Sequence, residues 1–292
     1  MRIRIQNEWG SAEVESLGAQ LMSHKNAEGV EYLWQGDPAF WSGRAPVLFP
    51  TVGAVRNGET IMKGKSFAMK RHGFARNLEH AVLDSGKDFV TFFLRDSEET
   101  KKQYPFSFEM RVTYRLTKSG LATELYVSNS GAEELPFGIG GHPAYFCPVM
   151  PGEAFEDYSI VFEKKETALC PTIDLQTGLI DFNKREKVLD NQAEIPLRHD
   201  LFVNDALVFD ALVSKKVRVC SRISGHGVEM DFSGYPMLGI WSAQGDAPFV
   251  ALEPWAGCAT AADEDDVFTH KRHINLLRPG ADKSFVFTVK LL

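Results

Sequence analysis

Apolar and polar residues alternate with a period of two along most of this chain, and no other feature restricts its fold as strongly. Val112, Tyr114 and Leu116 alternate with Arg111, Thr113, Arg115 and Thr117, which puts the apolar groups on one face of a pleated strand. Lys118-Ser119-Gly120 separates that run from Leu121, Thr123, Leu125 and Val127. Likewise, Ser224-Gly225-His226-Gly227 separates Val217 to Ile223 from Val228, Met230 and Phe232. Alternating runs joined by short glycine-containing turns predict antiparallel hairpins, and Asn57-Gly58 marks another tight turn. The last run, with Phe285, Phe287, Val289 and Leu291 on one face, predicts a strand in the middle of a sheet. The best helical signal is Ser97 to Tyr104, with Ser97 as N-cap, Glu98 and Glu99 in the first turn and Pro105 as the stop. With many strands, few helices, no internal repeat and no Ser/Gly/Pro-rich linker, the chain reads as all-β. The expected architecture is a large antiparallel sandwich forming one domain over residues 1–292.

A formal charge of −7 supplies no general attraction for nucleic acid or anionic lipid, so an anionic ligand would need a local basic patch. The N-terminus alternates like a strand and lacks a signal-peptide core, and no run approaches the ~18 apolar residues of a membrane span. A cytoplasmic monomer or homodimer is expected. Cys147, Cys170, Cys220 and Cys258 are widely spaced and form no CxxC pair, which fits four reduced structural thiols. The acidic run Asp263-Glu264-Asp265-Asp266 reads as a solvated loop.

Two histidines and one glutamate stand out against this background. His72 lies in a basic stretch containing Lys63, Lys65, Lys70, Arg71 and Arg76. His142 follows Gly138, Gly140 and Gly141 and precedes Pro143, a bent presentation that can aim a side chain. Glu253 is embedded in the apolar stretch Pro248 to Leu252, and a carboxylate in such company is costly unless it is paired or working. Together they could supply an acid and a base at neutral pH. Each also has a plain structural reading: a solvated histidine, a turn histidine bonded to a carbonyl, a buried ion pair with arginine. A two-histidine, one-carboxylate metal site uses the same residue types, but no HxxH, HExxH or HxD spacing involves His72, His142 or Glu253, so neither a metal nor a cofactor is expected. GxSxG, P-loop and GxGxxG motifs are absent too.

Taken together, Gly43 to Gly53, Arg71-His72-Gly73-Phe74-Ala75-Arg76, Gly141-His142-Pro143-Ala144-Tyr145 and Leu252-Glu253-Pro254 resemble, in that order, segments of the aldose 1-epimerase (galactose mutarotase) family, particularly its LacX-like branch. The resemblance runs through the whole chain. It implies a β-supersandwich acting on a small-molecule sugar, with Glu253 as base, His142 as acid and His72 near the sugar ring oxygen. It also implies an aspartate for sugar hydroxyls, for which Asp205 is preferred to Asp210, and an arginine near the ligand, for which Arg71, Arg56 and Arg44 are candidates. The longer asparagine-arginine motif of galactose-specific members is not reproduced. The basic cluster Lys70, Arg71 and Arg76 resembles a feature of the branch acting on hexose 6-phosphates, so an aldohexose, free or phosphorylated, is the expected ligand. Two rival readings are a non-catalytic sugar-binding protein on the same fold and a glycoside hydrolase using Glu253 with Asp205 as its carboxylate pair.

Overall fold

A computed structural model describes residues 1–292. Its main layer is a nine-stranded antiparallel sheet. In spatial order the strands are Ile180–Pro196, Tyr158–Ile173, Lys216–Ser221, Gly227–Asp231, Asp282–Leu291, Gly120–Ser128, Glu109–Thr117, Phe89–Arg95 and Ala81–Ser85. The alternating run around Val112 pairs with the run after Lys118-Ser119, Thr117 facing Gly120, as the hairpin pattern predicts. The C-terminal strand takes the middle place and buries Phe285, Phe287 and Val289.

A second layer runs Leu207–Phe209, Met237–Trp241, Phe249–Ala256, Ile139–Gly141 and Val47–Leu48, with Ala144–Phe146 also paired to Phe249–Ala256. All eight residues of Phe249–Ala256 are buried, so both faces of this strand meet protein. Val250, Leu252 and Ala256 join the main core together with Phe285, Phe287 and Val289 of the large sheet. The opposite face carries Phe249, Ala251, Glu253 and Trp255, and it belongs to smaller apolar clusters around the functional cleft. Period-two geometry thus sends one face of a single strand to the core and the other to chemistry.

Two local expectations are revised. The helix covers only Glu98–Lys101, although Ser97 caps it reciprocally with Thr100 as the sequence pattern requires. The acidic run is a solvated loop, with Asp263 and Asp265 exposed, but it is also tied down. Glu264 accepts from the Ala261 and Arg272 amides, Asp266 pairs with Arg56 at 2.8 Å, Asp265 with His270 and Asp263 with Arg272. No helix is long and apolar enough to cross a membrane.

Candidate active site

Strand register brings His142 and Glu253 together. Gly140 pairs with Trp255, and Ala144 pairs with Ala251. The short strands on either side of His142 therefore keep one register on the same partner, which sets His142 across from Glu253. Cross-strand neighbours share a face of the sheet, and His142 Nε2 lies 3.2 Å from Glu253 Oε1. On the other flank, Glu253 faces Gly239. A Cβ at Gly239 would stand 2.6 Å from the Trp255 ring, and one at Gly140 would meet Trp255 Cδ1 at 3.0 Å, so the two glycines make room for that indole. Trp255 Nε1–H donates to Glu253 Oε2 at 3.2 Å, which leaves both carboxyl oxygens occupied.

His72 reaches the same cleft from a different segment. It is a non-glycine residue at φ 66°, followed by Gly73 at φ 71°. This left-handed pair is pinned by the His72 amide donating to Gly53 O at 2.9 Å and the Phe49 amide donating to His72 O at 3.3 Å. Gly53 N–H donates to His72 Nδ1 at 3.1 Å, so in the neutral ring the proton sits on Nε2, available as a donor to the cleft. A Cβ on Gly73 would overlap the Phe49 carbonyl oxygen. Gly73→Ala is therefore expected to destabilise the fold by more than the ~1–3 kcal/mol that left-handed backbone alone costs. A lowered urea midpoint with an unchanged slope would register it, and a wild-type midpoint would contradict it.

The cleft has a volume of about 290 Å³, near the lower end of small-molecule pockets. Glu253, His142, His72, Asp205 and Arg71 all line it. Asp205, at φ 75°, accepts from its neighbour Ala206 N–H and from Arg71 Nη2 at 3.1 Å, which ties the two loops at the cleft edge. Asp210 instead holds Arg185 at 2.7 Å and does not line the cleft. Two expected ligand arginines are also corrected. Arg44 spends its guanidinium on the carbonyls of Gln35 and Met22, and Arg56 on Asp266 and the carbonyls of Ala261, Ala262 and Glu264. Neither lines the cleft. The sequence reading missed Trp41, Trp241 and Trp255 as cleft walls. Trp255 follows Glu253 at i+2, and that spacing on a strand was a usable signal; Trp41 carried none.

Burial sets the electrostatics. Glu253, His142 and His72 are 2%, 7% and 7% exposed. Desolvation raises the Glu253 carboxyl well above the usual range, with nearby Asp205 adding to the rise, while Arg71 and the Trp255 hydrogen bond oppose it. Desolvation also pushes His142 down to about 3 and His72 well below its ordinary value, helped by Arg71 and Arg76, with His142 adding to the fall at His72. Both members of the 3.2 Å dyad thus resist charge, so at rest the pair holds one proton on the carboxyl side and is neutral as a unit. Passing that proton to Nε2 creates a carboxylate base and an imidazolium acid without changing the net charge. No group of three His, Cys, Asp or Glu side chains is arranged as metal ligands would be.

This architecture is the galactose mutarotase-like fold. The galactose mutarotase related enzyme of Lactobacillus acidophilus matches with a TM-score of 0.94 at 34% identity, covering 100% of this chain and 97% of that one. A galactose mutarotase-like protein of Lactobacillus casei ATCC 334 matches with a TM-score of 0.93 at 31% identity, covering 100% of both chains. The aldose 1-epimerase family model matches residues 1–286, and the chain belongs to that family. The chromosomal LacX protein of Lactococcus lactis subsp. lactis is 37% identical over 297 residues, covering 99% of each chain.

Proposed function

We propose that the protein interconverts the α and β anomers of an aldose by acid–base ring opening and closure. The observation that supports this reading is the buried His142–Glu253 dyad, with Nε2 and Oε1 3.2 Å apart on the wall of a sugar-sized cleft. An anomeric carbon carries two oxygens, the ring oxygen and the C1 hydroxyl, and the reaction must protonate one while deprotonating the other. Glu253 takes the C1 hydroxyl proton as His142 delivers its own to the ring oxygen. The C1–O5 bond breaks, a carbonyl forms at C1, rotation about C1–C2 exposes the other face, and closure reverses both transfers. His72 donates from Nε2 to a sugar oxygen, and the Arg71–Asp205 pair meets the outer hydroxyls. Each positioned acid or base is typically worth ~10²–10⁴ in rate, ample for a reaction that already proceeds spontaneously. Hydrolysis is less well supported, because Asp205 is engaged by Arg71 and Glu253 by His142.

Exchange NMR of the α and β anomeric signals, run over a panel of free and 6-phosphorylated aldoses, tests the proposal. At least one aldose is expected to exchange in proportion to added protein, and Arg71 and Arg76 at the cleft make the phosphorylated members an informative arm. Binding without accelerated exchange across the panel would overturn it in favour of a sugar sensor.

A further inference from the structure

Many working histidines are oriented by a hydrogen bond to the ring nitrogen that does no chemistry. No other residue does this for His142: its Nδ1 is buried without a partner beyond its own backbone. What surrounds the ring is aromatic. Trp41 stacks on it with centroids 4.8 Å apart and planes 27° apart. Trp241 and His72 stand nearly perpendicular to it, with centroids 5.6 and 5.8 Å away. The loop carrying Trp41 is itself held. Asp37 O accepts from the Phe40 and Trp41 amides, Asp37 Oδ1 accepts from the Ala39 amide, and Trp41 O accepts from Trp34 Nε1 at 2.8 Å. A Cβ on Gly43 would overlap the indole, so glycine there lets Trp41 fold back onto the imidazole.

Resting on the function proposed above, we infer that Trp41 is a positioning residue: its indole face keeps His142 Nε2 on Glu253 and stabilises the ring while it carries the second proton. A cation against the face of tryptophan gains about 0.5–2 kcal/mol. The neighbouring indole Trp241 lies nearly perpendicular to the imidazole, at 80°, and does not stack on it. The other charged or titratable groups near the imidazole are Glu253, His72, Arg71 and Arg76, with Asp205 acting through Glu253. Both arginines disfavour the imidazolium and its own backbone favours it, so the indole face and the Glu253 carboxylate are its side-chain supports.

The test compares Trp41→Leu, Trp41→Phe and wild type by two readouts: anomer-exchange rate against pH, and NMR titration of the His142 ring proton. Trp41→Leu is expected to lower the maximal rate about 2- to 30-fold. It should also move the acid limb, where the dyad gains its second proton, to lower pH by about 0.4–1.5 units, with the His142 titration moving the same way, while Trp41→Phe restores most of both. Should Trp41→Leu fail to fold, Gly43→Ala, which displaces the indole, carries the same expectations. A Leu variant with wild-type rate, limb and titration overturns the inference, as does a rate loss that leaves limb and titration in place. The titration separates this inference from the functional proposal: a wild type with no exchange activity but a Trp41-dependent His142 titration would sink the mutarotase reading and leave the role of Trp41 standing.

Discussion

Glu253→Gln is expected to return anomer exchange to within a small factor of its spontaneous rate, a loss of ~10²–10⁴, while making the protein more heat-resistant at alkaline pH. The amide fits the same place, accepting from Trp255 Nε1 with its oxygen and donating to His142 Nε2 with its nitrogen. The stability gain follows from linkage. Below the ordinary carboxyl value of 4.5 the wild-type Glu253 is protonated both folded and unfolded, and it adds no pH dependence. Above 4.5 the unfolded chain releases a proton that the native state retains, so wild-type stability declines as pH rises towards the raised native value, at about 1.4 kcal/mol per unit. Glutamine has no such slope. Thermal melts from pH 5 to about pH 8 should show the variant's advantage widening; a constant or shrinking gap would contradict a raised carboxyl, and retained exchange would remove Glu253 from its role.

His142→Gln is expected to cost a similar ~10²–10⁴ in rate, because it removes the acid and also leaves Glu253 without the acceptor that takes up its proton. The dyad works as a unit, so the double variant Glu253→Gln/His142→Gln should fall no further than either single change. Additive losses would mean two independent contributions. Stability again reports on the buried ring. Unfolded histidine binds a proton below 6.5 whereas the native ring resists until about 3, so the ring's own contribution to stability is full above 6.5 and is lost as pH falls through that window. The variant should lack that acid-side slope.

The sheet was legible because alternation and turn chemistry are local. The Lys118-Ser119 hairpin, the strand after Ser224 to Gly227 and the central C-terminal strand follow from residues close together in sequence. Glu253 was conspicuous as a carboxyl among apolar residues, and His142 as a histidine between glycines and a proline. Their partnership was not legible, because it depends on the register of two short strands against a distant one. The arginines show the same limit. Arg44, Arg56 and Arg71 look alike as local sequence, yet backbone carbonyls of other segments hold the first two and only Arg71 reaches the cleft. Helix propensity after Ser97 failed beyond one turn, since a segment that short has little packing to extend it.

The most direct test is the exchange rate of one responsive aldose measured on the wild-type protein across roughly pH 2 to 10, a range that reaches the second protonation of His142 at about 3. A proton shared within the His142–Glu253 dyad predicts a plateau near neutrality. The rate should fall on the acid side, where the dyad gains a second proton, and on the alkaline side, where it loses its only one, by about tenfold per unit on each limb. A rate that stays level, or that climbs steadily in one direction, would contradict the account.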